Sequence, residues 1–122
     1  MKLIHWDPLR DLSARTWAPA VDIFDQDDDL IFRAEVPGVQ REALDVKVED
    51  NTLILSGERV RDEEQGQAYR SERRYGSFVR SFLLPKTVDP SRISAAYENG
   101  ILEVRIPRAE AAKPRQIEIK VA

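Results

Sequence analysis

The stretch Ile93-Ser94-Ala95-Ala96-Tyr97-Glu98-Asn99-Gly100-Ile101-Leu102-Glu103-Val104-Arg105-Ile106 decides the fold. Leu102, Val104 and Ile106 alternate with Glu103 and Arg105, the period-2 pattern of a strand with one buried face. A second run, Ile93 to Glu98, precedes it. Between them, Asn99-Gly100 favours the positive φ angles of a type I′ turn, so the two runs pair as a tight antiparallel hairpin.

The same reading extends toward the amino terminus. Leu44, Val46 and Val48 alternate with Asp45, Lys47 and Glu49, while Leu30, Phe32, Ala34 and Val36 alternate with a face that includes Arg33 and Glu35. Further strands are expected at Ala20 to Asp25, Thr52 to Glu58 and Ser77 to Leu84. Asp50-Asn51 offers a second, weaker turn; Pro37-Gly38 and Pro85 end two strands. About seven strands, or up to nine, at this spacing predict an all-β, antiparallel sandwich of the immunoglobulin-like kind. With 122 residues there is room for one core only.

Two segments depart from the pattern. Residues 1 to 18 place Trp6, Leu9 and Leu12 three apart, a short amphipathic turn too brief to be stable alone. Residues 107 to 116 form a linker bounded by Pro107 and Pro114, after which Ile117, Ile119 and Val121 alternate again. The linker reaches about 30 Å if extended. Spacing alone leaves two possibilities open: that last stripe folds onto its own sheet, or it docks on a neighbouring copy.

Composition excludes several chemistries. The chain has no cysteine, hence no disulfide, thiolate nucleophile or Cys-ligated zinc. Its single histidine, His5, precedes the core, so no histidine-based triad has a rigid base and zinc lacks a second nitrogen ligand. The run Asp25-Gln26-Asp27-Asp28-Asp29 resembles the opening of a calcium loop, yet Leu30 and Val36 stand where such a loop needs Gly and Glu, so a polar turn is expected. Paired carboxylates are inevitable among 22 acids, but none sits in an apolar stretch that would raise its pKa. With 7% aromatics, mostly needed for strands, little remains for a ligand platform. The expectation is a chain that is not an enzyme and takes no cofactor or metal.

The net charge of −3 argues against nucleic acid as partner. Residues 22 to 50 hold ten acids and three bases, and the arginines of 59 to 80 are interleaved with acids, which reads as a solvated, salt-bridged loop. No stretch suits a secretory core or a membrane span, so a cytoplasmic location is expected.

Four stretches together resemble the α-crystallin domain of small heat-shock proteins. They are Pro19-Ala20-Val21-Asp22-Ile23-Phe24, Ala34-Glu35-Val36-Pro37-Gly38-Val39, Arg73 to Phe82 with Leu84-Pro85, and Ala95-Ala96-Tyr97-Glu98-Asn99-Gly100-Ile101-Leu102. Ile117-Glu118-Ile119 is similar to the family's carboxy-terminal I-x-I motif. The likeness points to a bacterial or archaeal type with a short amino-terminal arm. It implies three segments: an arm (1–18), the domain (19–108) and an extension (109–122). It also implies an ATP-independent holdase that binds partly unfolded clients, and a homodimer that builds larger oligomers. A strand at Gln67, Ala68, Tyr69 and Arg70 would pair with the partner's sheet, beside an interface arginine, Arg80. Arg80 is in phase with Phe78, Phe82 and Leu84, so its guanidinium needs a carboxylate or carbonyl partner. Ile117 and Ile119 would enter a neighbour's groove lined by Leu44, Val46, Val48, Ile93, Ala95 and Tyr97, and Trp6, Leu9 and Leu12 would contact clients. The resemblance thus tips the tail toward a neighbouring copy. A related sandwich, the CS-domain co-chaperone, lacks both the long loop and this tail.

Overall fold

A computed structural model describes residues 17–61, 66–110 and 117–121. Seven strands lie among them: β1 (Val21–Gln26), β2 (Asp29–Glu35), β3 (Asp45–Glu49), β4 (Thr52–Arg59), β5 (Gly76–Leu83), β6 (Ser94–Glu98) and β7 (Ile101–Pro107). They form two antiparallel sheets, β1-β2-β7-β6 and β3-β4-β5. Single 3-10 turns at Arg41–Ala43 and Pro90–Arg92 lead into β3 and β6.

Turn chemistry sets the hairpins. Asn99 and Gly100 have φ of 53° and 76°, and Glu98 opposes Ile101, so the loop has two residues, both left-handed. Asp50 and Asn51 (50° and 61°) do the same between β3 and β4, and Asp27 and Asp28 (54° and 66°) between β1 and β2. The acidic run is therefore a hairpin turn. Its strand members Asp25 and Asp29 are paired with Arg108 and Arg105, and no metal-holding group is found among the described residues.

Register then fixes the core. Phe32, Val104 and Ala95 stand opposite one another across β2, β7 and β6, as do Ala34, Leu102 and Tyr97. Leu53 and Leu55 on β4 face them from the other sheet, with Phe78 from β5. Fully burying a side chain of this size contributes about 1.5–3 kcal/mol, so these positions carry most of the stability.

Two burials differ from expectation. Ile31, on the opposite face of β2 from the core, is fully buried, between Phe24 and Arg105 in the register. Trp17, expected on the arm, belongs to the core cluster: its ring meets Phe78 edge-on at 5.1 Å and its Nε1 donates to Gly76 O at 2.9 Å. A buried indole needs such an acceptor for its N–H, and the carbonyl of Gly76 at the start of β5 supplies it.

Candidate functional site

The two sheets do not close on each other. β6 is the outer strand of one and β3 of the other, and an open groove of about 180 Å³ runs between them. It is lined by Arg41, Leu44, Val46, Ala95, Ala96, Tyr97 and Leu102. Local structure explains the lining. The 3-10 turn aims Leu44 inward ahead of β3, and Val46 lies on the core face because it opposes Leu55. Across the gap, small Ala95 leaves the space that a larger residue would fill. Tyr97 is held by its hydroxyl, 2.9 Å from Val36 O and 2.8 Å from Val39 O. The floor is apolar and anchored, while the outer backbone edges of β3 and β6 pair with no strand among the described residues.

Of the six groove residues expected from the sequence, Leu44, Val46, Ala95 and Tyr97 line the cavity. Val48 and Ile93 are half-buried against the core beside it. Arg41, Ala96 and Leu102 line it as well, and the sequence reading missed them. Arg41 had a signal, being the lone base just ahead of the alternating Leu44-Val46-Val48 run.

The tail does not occupy this groove in its own chain. Residues 117–121 form no strand, and Ile117 and Ile119 are 83% and 90% exposed. Folding back onto the same sandwich is not what the structure displays. Gln67, Ala68, Tyr69 and Arg70 are likewise exposed and form no strand within the chain. Arg70 pairs with Glu72 at 3.2 Å. Trp6, Leu9 and Leu12 lie outside the described residues.

Arg80 has the carbonyl partner its position demands. Its Nη1 donates to Pro19 O at 2.8 Å and its guanidinium lies 5.0 Å from the Phe82 ring centre. The partner belongs to the same chain, so Arg80 clips the segment before β1 onto β5.

Arg59 overturns the reading of the arginine run as wholly solvated. It is the one buried charged residue among those described, 8% exposed. Its Nε donates to Pro37 O and its Nη1 to Arg74 O, both at 2.9 Å, and its guanidinium stacks 3.9 Å over the Trp17 ring. Burial holds its pKa below the ordinary arginine value, and neighbouring Arg73 lowers it further against smaller opposing effects of Tyr75 and Tyr97. Sequence could not reveal this, because its partners lie 22, 15 and 42 positions away. Arg61, Arg70, Arg73 and Arg74 are exposed as expected, with Arg61 bonded to Ser71 and Arg73 to Tyr75, whereas Arg80 is half-buried.

Residues 22–121 match the model of the Hsp20/alpha crystallin family. The chain belongs to that family. An 18.8 kDa class II heat shock protein of Ipomoea nil is 40% identical over 122 residues, covering 93% of this chain and 72% of its own. Small heat shock protein C2 of Rickettsia felis is 34% identical, covering 93% and 75%. A small heat-shock protein from Xylella fastidiosa, whose crystal structure is described as revealing a distinct high order structure, superimposes with a TM-score of 0.72. It is 35% identical and covers 87% of this chain and 99% of that one. Plant and bacterial relatives stand this close together, so the bacterial or archaeal type expected from the sequence gains no support over a plant type. As a small heat-shock protein, the chain has the seven-stranded sandwich expected of it, and a holdase role is consistent with its family. No helix among the described residues is long and apolar enough to cross a membrane.

Proposed function

We propose that this small heat-shock protein is an ATP-independent holdase that captures partly unfolded proteins and keeps them from associating. Its organisation on this reading is an arm (1–18), a sandwich (19–108) and an extension (109–122). Subunits dimerise through the loop at Gln67, Ala68, Tyr69 and Arg70, which adds a strand to the partner's sheet at its outer strand β1, near Arg80. Dimers then join when Ile117 and Ile119 of one copy enter the groove of another. The arm, through Trp6, Leu9 and Leu12, contacts clients in the cytoplasm.

The observation that carries the assembly is the coexistence of an unfilled apolar groove with an exposed isoleucine pair in the same chain. Strand addition in trans resolves both: main-chain hydrogen bonds supply affinity, and alternate side chains entering pockets supply specificity. Burying the two isoleucines contributes about 1.5–3 kcal/mol each, and several tails acting together multiply the effect.

The test is suppression of aggregation of a thermally unfolding protein, with and without ATP, by the full chain and by a chain ending at Arg115. Protection independent of ATP is expected. Truncation should lower the assembled mass in light scattering. Protection that requires ATP overturns the holdase reading, and an unchanged mass after truncation overturns the tail's role.

A further inference from the structure

Among the described residues, Arg41 is the only charged one lining the groove. It is exposed, in the 3-10 turn that precedes Leu44 and β3, and its guanidinium is in no ion pair among the described residues. Its nearest sequence neighbour of opposite sign, Glu42, leaves it unpaired, and Ala95 and Ala96 across the gap carry no charge. An unpaired cation bordering an apolar slot raises the question of which anion it meets when the slot is filled.

We infer that Arg41 reads Glu118, the residue between the two isoleucines of an incoming tail, and so makes the groove selective for an acidic centre in that motif. This rests on the tail-in-groove reading above and adds a charge requirement to it. Period-2 geometry carries the argument. When Ile117 and Ile119 point down into the slot, Glu118 points up and outward to the rim. An arginine side chain is long enough to lay its stem along the apolar wall and lift its head to that level. Glu118 is the only acid in 117–121. Lys120 shares its face about 7 Å farther along, so an Arg41–Glu118 pair leaves Lys120 beyond the guanidinium. Apolar burial alone would accept any I-x-I segment, including exposed stretches of unfolded proteins. The rim charge adds discrimination and a dependence on salt.

The experiment uses the full chain and reads assembled mass against protein concentration by light scattering. Compared are the wild type, Arg41→Glu, Glu118→Arg, the double exchange, and Ile117→Ala/Ile119→Ala. Each single reversal is expected to weaken association by about two- to fivefold per docked tail, the range for an exposed ion pair. The double exchange should restore it. Raising NaCl from about 50 to about 500 mM, which shortens the screening length severalfold, should weaken the wild type more than Arg41→Glu. If the isoleucine variant assembles like the wild type, the tail-in-groove reading itself falls. If that variant dissociates while Glu118→Arg does not weaken association, or the double exchange fails to rescue, the groove stands and the charge reading is overturned. Glu118→Arg lies outside the sandwich and decides the matter even should Arg41→Glu fold poorly.

Discussion

Removing the guanidinium of Arg59 should cost about 2–4 kcal/mol of folding stability. The side chain makes two hydrogen bonds from a charged donor to main-chain carbonyls, each 2.9 Å long, and covers the face of Trp17. Partly buried bonds of this kind contribute about 1 kcal/mol or somewhat more apiece, and a desolvated cation over an indole up to about 2 kcal/mol. Part is returned because the guanidinium no longer has to leave water, which is the same desolvation that lowers its pKa. A domain of this size has a total stability of about 5–15 kcal/mol, so the loss is a large share of it. Two substitutions separate causes. Arg59→Lys keeps the charge but loses the planar stack and one bond, and should fall midway; Arg59→Met keeps the apolar stem and most of the volume without any donor. The assay is urea unfolding at one fixed protein concentration, because subunit association adds to apparent stability. Tryptophan fluorescence in a Trp6→Phe background isolates Trp17, whose emission should shift red as its ring loses its cover. If Arg59→Met unfolds within about 0.5 kcal/mol of the parent, packing of the stem explains the burial and the hydrogen-bonding account is wrong.

Gly100→Ala should destabilise by at least about 1–2 kcal/mol, since Gly100 has φ of 76° and an added Cβ would lie 3.0 Å from Pro37 Cα, which is backbone and cannot yield. Thermal unfolding with an unchanged melting midpoint would contradict this. Asp89 caps the turn before β6 through Ser91 N–H and the Ser91 and Arg92 side chains, and these bonds, that of Ser91 foremost, hold its carboxyl below the usual value. Its folded pKa is depressed, so the stabilisation is full above the unfolded pKa near 4 and is lost as pH falls through the lower folded value. Amide exchange at Ser91, corrected for intrinsic rate, should therefore accelerate on acidification below about pH 4. In Asp89→Ala that acid-dependent change should vanish.

The strands were legible because their signals are local. Alternation at Leu102, Val104 and Ile106, and turn residues at Asn99-Gly100 and Asp50-Asn51, act over a few positions, and register follows once a two-residue loop is set. What stayed hidden depends on contacts across the sandwich. Ile31 looks outward-facing from its phase yet is fully buried. Trp17 looks like part of the arm because the acceptor for its indole lies 59 residues away on Gly76. The groove is intermediate: Leu44, Val46, Ala95 and Tyr97 came from family likeness, and period 2 alone says only that they face inward. That they border a cavity depends on how far two sheets of unequal width overlap.

That unequal width is the physical origin of the site. A sandwich of four strands over three leaves edges that pair with no strand among the described residues, and edges are where uncontrolled strand pairing begins. Here the β3 edge carries Asp45, Lys47 and Glu49 on its outer face and Val46 and Val48 on its inner one. A flat, two-sided apolar strand that approached would have to set one of its faces against those charges, whereas a segment apolar on one face and polar on the other meets a match on both. Ile117-Glu118-Ile119-Lys120-Val121 has that alternation. The edge thus admits strands by pattern before it admits them by shape. The fault line of an open sandwich becomes a selective one because every second residue along it is charged.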